Sequence, residues 1–184
     1  MARILIIGGS GAGTLTLGRA LASALATQHF DVDDFFWHPT DPPFTARRNE
    51  AERVALMERM FLPRADWVLS GSPMGWGDAV IPRLSHVVFL TLAPGLRIDR
   101  LIARETARYG ARIAPGGDLA AAHREFVDWA AGYDDPTFLR RSRRTQEDWL
   151  ARLPCPLLRL DAGADLAALL PLVQGWLDRT DAAP

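Results

Sequence analysis

Glycines at positions 8, 9, 11 and 13, followed by Thr14, carry the clearest chemistry in this chain. They follow an apolar run, Ile4 to Ile7, and precede a helical pattern that begins at Thr14. Strand, glycine loop and helix in that order is the context in which backbone N–H groups converge on a phosphate. The usual spacing is G-x-x-x-x-G-K-[ST]. Here Gly8, Gly9, Ser10, Gly11, Ala12 and Gly13 form the loop. Thr14 stands where the lysine would be, Leu15 where a metal-binding hydroxyl would be, and Thr16 offers a hydroxyl just beyond. The glycine turn and the partial positive charge of the helix start need no lysine. Losing the charged contact removes about 1.5–3 kcal/mol, one or two decades of phosphate affinity, without abolishing it. The alternative is a glycine-rich turn that binds nothing. The chain contains no lysine at all, its 21 basic residues all being arginine, so any replacement cation is an arginine, a bound metal or a partner.

A second constellation is Asp31, Asp33 and Asp34 in Phe30-Asp-Val-Asp-Asp-Phe-Phe-Trp37. Carboxylates facing the phosphates can hold a magnesium shell or accept the proton of an attacking hydroxyl. Alternation puts Asp31 and Asp33 on one side if the strand continues; the alternative is a capped helix start. Phe35, Phe36, Trp37 and Phe44 follow with Pro39, Pro42 and Pro43, a composition that walls an acceptor pocket or fills the core. Ser70, at the end of a third apolar run, occupies the place where a metal-directed acid is expected and could reach a metal through water.

A third is the series Arg100, Arg104, Arg108 and Arg112, spaced by four. On a helix it makes one basic stripe leading to Pro115, Gly116 and Gly117, the composition of a mobile lid whose arginines clamp phosphates. The alternative is a solvated face. Arg140, Arg141, Arg143 and Arg144 read as a solvated helix face, with the adenine side of the lid as the other reading. His29, His38, His86 and His123 lack metal-ligand spacing.

The elements that must position these residues alternate. Strands are predicted at Ile4–Ile7, His29–Asp31, Trp67–Ser70, His86–Leu92 and Leu157–Leu160. Helices are predicted at Thr14–Thr27, Glu50–Phe61, Leu96–Tyr109, Leu119–Ala131, Gln146–Leu153 and Ala164–Arg179. This order implies a five-stranded parallel sheet covered on both faces, with ligands beyond the carboxyl ends of its strands. At 184 residues and 48% hydrophobic content the chain is expected to fold as one domain, residues 1–184. A net charge of −1 gives no pull toward nucleic acid or membrane. The lone Cys155, the strand-like N-terminus and the lack of a long apolar run lead us to expect a cytoplasmic protein without a signal peptide.

In this order of motifs the chain resembles the P-loop kinases of small metabolites and nucleotides: adenylate kinase, shikimate kinase and gluconate kinase. It is similar to a bacterial subgroup of adenylate-kinase-like proteins with threonine in place of the loop lysine. The shared strings are Gly11-Ala-Gly-Thr14, Phe30-Asp-Val-Asp-Asp-Phe-Phe-Trp37, Trp67-Val-Leu-Ser-Gly-Ser72 and Arg108-Tyr-Gly-Ala-Arg-Ile-Ala-Pro-Gly-Gly-Asp118. The resemblance implies a three-layer α/β P-loop fold with an arginine-bearing lid at about residues 104–120. It implies ATP or a related nucleotide with Mg2+, and phosphoryl transfer to a small-molecule or nucleotide acceptor. Asp31 would lie toward the metal, Asp33 toward the acceptor hydroxyl, and Arg104, Arg108 and Arg112 in the lid. The alternative expectation is a non-catalytic nucleotide-binding or sensing protein of the same fold; Thr14, Leu15 and Ser70 are where this chain departs from the kinase pattern.

Overall fold

The structure is a computed structural model and describes residues 1–181. Five parallel strands form one sheet in the order β2-β3-β1-β4-β5: β1 (Arg3–Gly8), β2 (His29–Asp31), β3 (Trp67–Ser70), β4 (His86–Thr91) and β5 (Leu157–Asp161). The central strand β1 lies between β3 and β4, with Ile6 opposite Ser70 and Gly8 opposite Leu90.

Alternation along β1 explains the layering. Ile4 and Ile6 point into one apolar cluster with Val68, Val88 and Leu90, closed by α1 (Thr14–Ala24) and α7 (Leu166–Asp181). Leu5 and Ile7 point into the other, with Leu69, Val87 and Phe89. That face is closed by Met57 of α3 (Glu50–Met60) and by Trp149 and Leu150 of α6 (Arg143–Leu150). A strand buried on both faces reads as a continuous apolar run, which is what Ile4–Ile7 is. Each of these side chains contributes about 1.5–3 kcal/mol by leaving water, so a charge at Leu5 or Ile7 would dismantle the sheet centre.

Two short elements depart from the sequence reading. The chain does not continue as a strand after Asp31: helix α2 (Val32–Phe36) starts there, with Asp31 as its N-cap accepting from the Asp33 backbone N–H at 3.0 Å. The alternation argued for Asp31 and Asp33 is therefore replaced by helical spacing. A 3-10 turn, Asp78–Arg83, precedes β4. Helix α4 (Pro94–Tyr109) begins with proline in its first turn and ends at Gly110; α5 (Ala120–Ala131) follows a second 3-10 turn, Gly110–Ile113. The inner face of α4 is formed by Arg97, Leu101 and Glu105, so two of its three buried residues are charged.

Candidate functional site

The glycine loop sits at the carboxyl end of β1. Gly11 and Gly13 have φ of 93° and 89°, conformations that L side chains rarely adopt, and Gly13 is the N-cap of α1. These two residues turn the chain so that the first N–H groups of α1 open toward the loop mouth. A Cβ at Gly11 would run into the carbonyl oxygen of Arg97, so the loop is also pressed against α4.

Arg97 makes that floor. Its side chain is 1% exposed, and its guanidinium donates to the Ser10 carbonyl (3.0 Å), the Ala130 carbonyl (2.8 Å) and the Asp134 carboxylate (2.8 Å). The Tyr133 ring stacks on it at 4.9 Å, and the Tyr133 hydroxyl donates to Gln146 at 2.6 Å. Burial of the charge is offset by pairing and by two further carbonyls. Arg97 thus braces the backbone of the loop from below, a role no local sequence signal announced.

Ser70 is fully buried at the end of β3. Its hydroxyl donates to the Thr14 carbonyl at 3.0 Å and meets His29 Nε2 at 2.9 Å. A serine hydroxyl has one proton. With that proton given to Thr14, the His29 ring must donate, and burial with nearby Arg19 holds the His29 pKa down. Ser70 is therefore tied to the first turn of α1 and to the His29 ring.

Asp31 and Asp33 lie at the carboxyl end of β2, two strands over from β1. Asp33 is linked to the glycine loop through Arg141, which acts on its carboxylate and reaches Ser10. Burial pushes the Asp31 carboxyl up to about 6, reinforced by the Asp33 and Asp34 charges against its capping bond and Arg19. Asp33 lies open to water yet ringed by protein, as a group on a cleft wall is. Its carboxyl is pushed up by burial, opposed by the guanidinium of Arg141, the indole of Trp37 and the guanidinium of Arg104. Mg2+ keeps several waters and takes one or two carboxylates plus phosphates. Asp31 fits such a water-rich shell, whereas Leu15 brings no oxygen and no group of three metal-capable side chains occurs among the described residues.

The arginine series divides. Arg100 donates to the Ala162 carbonyl at 2.8 Å, beyond β5. Arg104 pairs with buried Glu105 at 2.9 Å and remains in electrostatic reach of Asp33. Arg108 is exposed beside the Tyr109 ring. Arg112 lies past the end of α4, in the 3-10 turn, and pairs with Asp118 (2.8 Å) and Asp41 (3.5 Å). Only Arg104 of the four is thus placed beside Asp33.

Arg141, read from sequence as solvated, is the further arginine at the site. Its Nη2 lies 3.2 Å from Ser10 Oγ, its guanidinium stands 4.7 Å over the Trp129 ring, and the Asp33 carboxylate favours its charged form against burial. The aromatic segment also divides. Phe35 is core, while Phe36, Trp37 and Phe44 join Trp76 in a chain of edge-on ring contacts. Arg53 stacks on Phe36 at 3.7 Å and Arg47 on Trp37 at 5.4 Å.

No protein-family model matches the chain. The uncharacterized protein YqaC of Bacillus subtilis (strain 168) is 39% identical over 156 residues, which cover 85% of this chain and 86% of that protein. Among solved structures the fold is similar to a gluconokinase from Sinorhizobium meliloti 1021, with TM-score 0.53 and 18% identity over 97% of this chain and 93% of that one. It is also similar to a shikimate kinase from Bacteroides thetaiotaomicron, with TM-score 0.52 and 19% identity over 96% and 98%. A shikimate kinase from Aquifex aeolicus vf5 gives TM-score 0.52 and 13% identity over 98% and 99%. The three-layer α/β architecture is that of the P-loop kinases.

Proposed function

The chain belongs to one family with YqaC of Bacillus subtilis, and from that premise we propose that its site transfers a phosphoryl group from ATP, or a related nucleotide, to a small acceptor. The observation that supports this reading is that Arg141, which reaches Ser10 of the glycine loop, and Arg104 both act electrostatically on the Asp33 carboxylate. In-line phosphoryl transfer needs positioning and charge stabilisation more than covalent chemistry. The backbone from Gly8 to Thr14, with Leu15 and Thr16 in the following turn, holds the phosphates. Asp33, which burial makes a stronger base than an ordinary aspartate, orients the acceptor hydroxyl and as the carboxylate takes its proton. Asp31 would hold Mg2+, which would supply positive charge to the phosphates. Arg104, Arg108 and Arg112 belong to a lid at about residues 104–120 that covers the transfer. The guanidinia of Arg47 and Arg53 over Phe36 and Trp37 suit an acceptor that itself carries negative charge.

The experiment is a screen of hydroxyl and phosphate acceptors with labelled ATP, followed by Asp33→Asn. Turnover should fall by about 10²-fold or more while ATP affinity changes little, the pattern of a group used in the transition state. Equal loss of both would remove Asp33 from the acceptor side.

A second reading is favoured by one observation: the residues at the two usual metal-directed places are uncharged, Ser70 being fully buried with its proton given to Thr14 and Leu15 offering no hydroxyl. On that reading the chain binds nucleotide without turning it over. ATP binding without labelled product in any acceptor pool would select it.

A further inference from the structure

Two arginines reach Ser10, and they do so differently. Arg97 is buried below the loop and satisfies three acceptors. Arg141 comes from the segment just before α6 and has Ser10 Oγ as its hydrogen-bond partner among the described residues. Its Nε, like that of Arg97, is buried with no hydrogen-bond partner among the described residues. A guanidinium has five N–H donors, so most of this one is uncommitted. The Trp129 face lies 4.7 Å from its centre, Ser10 Oγ of the glycine loop lies 3.2 Å from its Nη2, and the Asp33 carboxylate acts on its charge. The same guanidinium therefore touches the loop and senses the Asp33 carboxylate, which puts a cation within reach of phosphates seated on the loop.

The other arginines are less suited. Arg104 is engaged by Glu105, Arg112 by Asp118 and Asp41, and Arg100 by Ala162. Arg108 is exposed beside Tyr109, with nothing that orients it toward the loop. With no lysine in the chain, the charge on the phosphates has to be met from elsewhere than position 14.

We propose that Arg141 supplies the positive charge that the glycine loop lacks at Thr14, its guanidinium binding the terminal phosphates of a nucleoside triphosphate seated on the loop. The forked geometry of arginine reaches two phosphate oxygens at once, which a lysine on the loop does not. The proposal rests on the nucleotide-binding reading given above and names the residue that makes it work without the lysine.

The test is calorimetric titration of the full chain with ATP and with adenosine, both in the presence of Mg2+. The variants are Arg141→Gln, Arg141→Lys, Thr14→Lys, the Thr14→Lys/Arg141→Gln double variant, and Arg140→Gln as the control at an exposed neighbour. Arg141→Gln should weaken ATP at least about tenfold and leave adenosine unchanged, while Arg140→Gln alters ATP less than twofold. In the Thr14→Lys background the same Arg141→Gln change should cost less than about threefold, because the loop then carries its own cation. Arg141→Lys keeps the charge and loses the fork, so ATP should weaken between twofold and tenfold; this arm stands even if removal of the charge disturbs folding. An ATP affinity unaltered in Arg141→Gln or Arg141→Lys, or an equal cost with and without Thr14→Lys, overturns the assignment while leaving nucleotide binding intact. A wild type that binds ATP no better than adenosine overturns both readings together.

Discussion

Replacing Asp31 with asparagine separates two things this residue does. As the N-cap of α2 it accepts the Asp33 N–H at 3.0 Å, and asparagine caps a helix about as well as aspartate. As a charge it is disfavoured. Burial together with Asp33 and Asp34 lifts its carboxyl to about 6, against an ordinary aspartate near 3.9. At roughly 1.4 kcal/mol for each pH unit, ionising Asp31 in the folded protein costs about 3 kcal/mol more than in the unfolded chain. Because Asp31 is only partly buried, that is a ceiling. The folded pKa is the higher one, so the folded state holds the proton longer. The contribution to stability is full below about pH 4, falls as the pH rises through 6, and is flat above. Asp31→Asn is neutral throughout. It should match the wild type at pH 4 and exceed it at pH 8, by up to about 6 °C in Tm at the lower end of the conversion for a chain of this size. Thermal unfolding followed by circular dichroism at the two pH values measures this. A variant destabilised equally at both would show that the side chain matters as a cap and not as a buried charge.

Two further outcomes concern the loop and its supports. Arg97→Ala strips the Ser10 and Ala130 carbonyls and Asp134 of their common donor and should cost about 3 kcal/mol; a urea midpoint shifted by less than the equivalent of about 1 kcal/mol would demote it to a bystander. Gly18→Ala gains helix propensity of about 1 kcal/mol, but its Cβ meets Ser70 Oγ and lies 2.8 Å from His29 Nε2. It should be net destabilising by about 1–2 kcal/mol, and Ser70→Ala should relieve part of that; a stabilised Gly18→Ala would refute the closeness of these elements.

Much of the architecture is legible because it is written locally. Ile4–Ile7 is a continuous apolar run and is buried on both faces; the glycines that follow turn the chain at Gly11 and Gly13. The sequence offers helix α2 only as the alternative to a continuing strand, because five residues are too few to display a helical period and Asp-x-Asp fits a capped first turn as well as a strand. The spacing of Arg100, Arg104 and Arg108 fixes that they share a face of α4. Spacing cannot say that the neighbouring face, Arg97, Leu101 and Glu105, is the one that packs inward. Arg141 was illegible for a different reason. Its meeting with Ser10 joins positions 131 apart in sequence, and nothing within Arg140–Arg144 distinguishes the one side chain that turns toward the loop from those that face water.

The bonds made by Ser70 bear on how such a site can change over descent. An aspartate introduced at position 70 would set a carboxylate against the Thr14 carbonyl, two acceptors about the present 3.0 Å apart with no proton between them. The other neighbour, His29, would have to carry a charge that burial and Arg19 oppose. Placing an acid there therefore requires simultaneous adjustment at position 29 and in the first turn of α1. A single substitution at position 70 meets both obstacles at once, so a new charge at this end of the sheet is more readily carried by other elements.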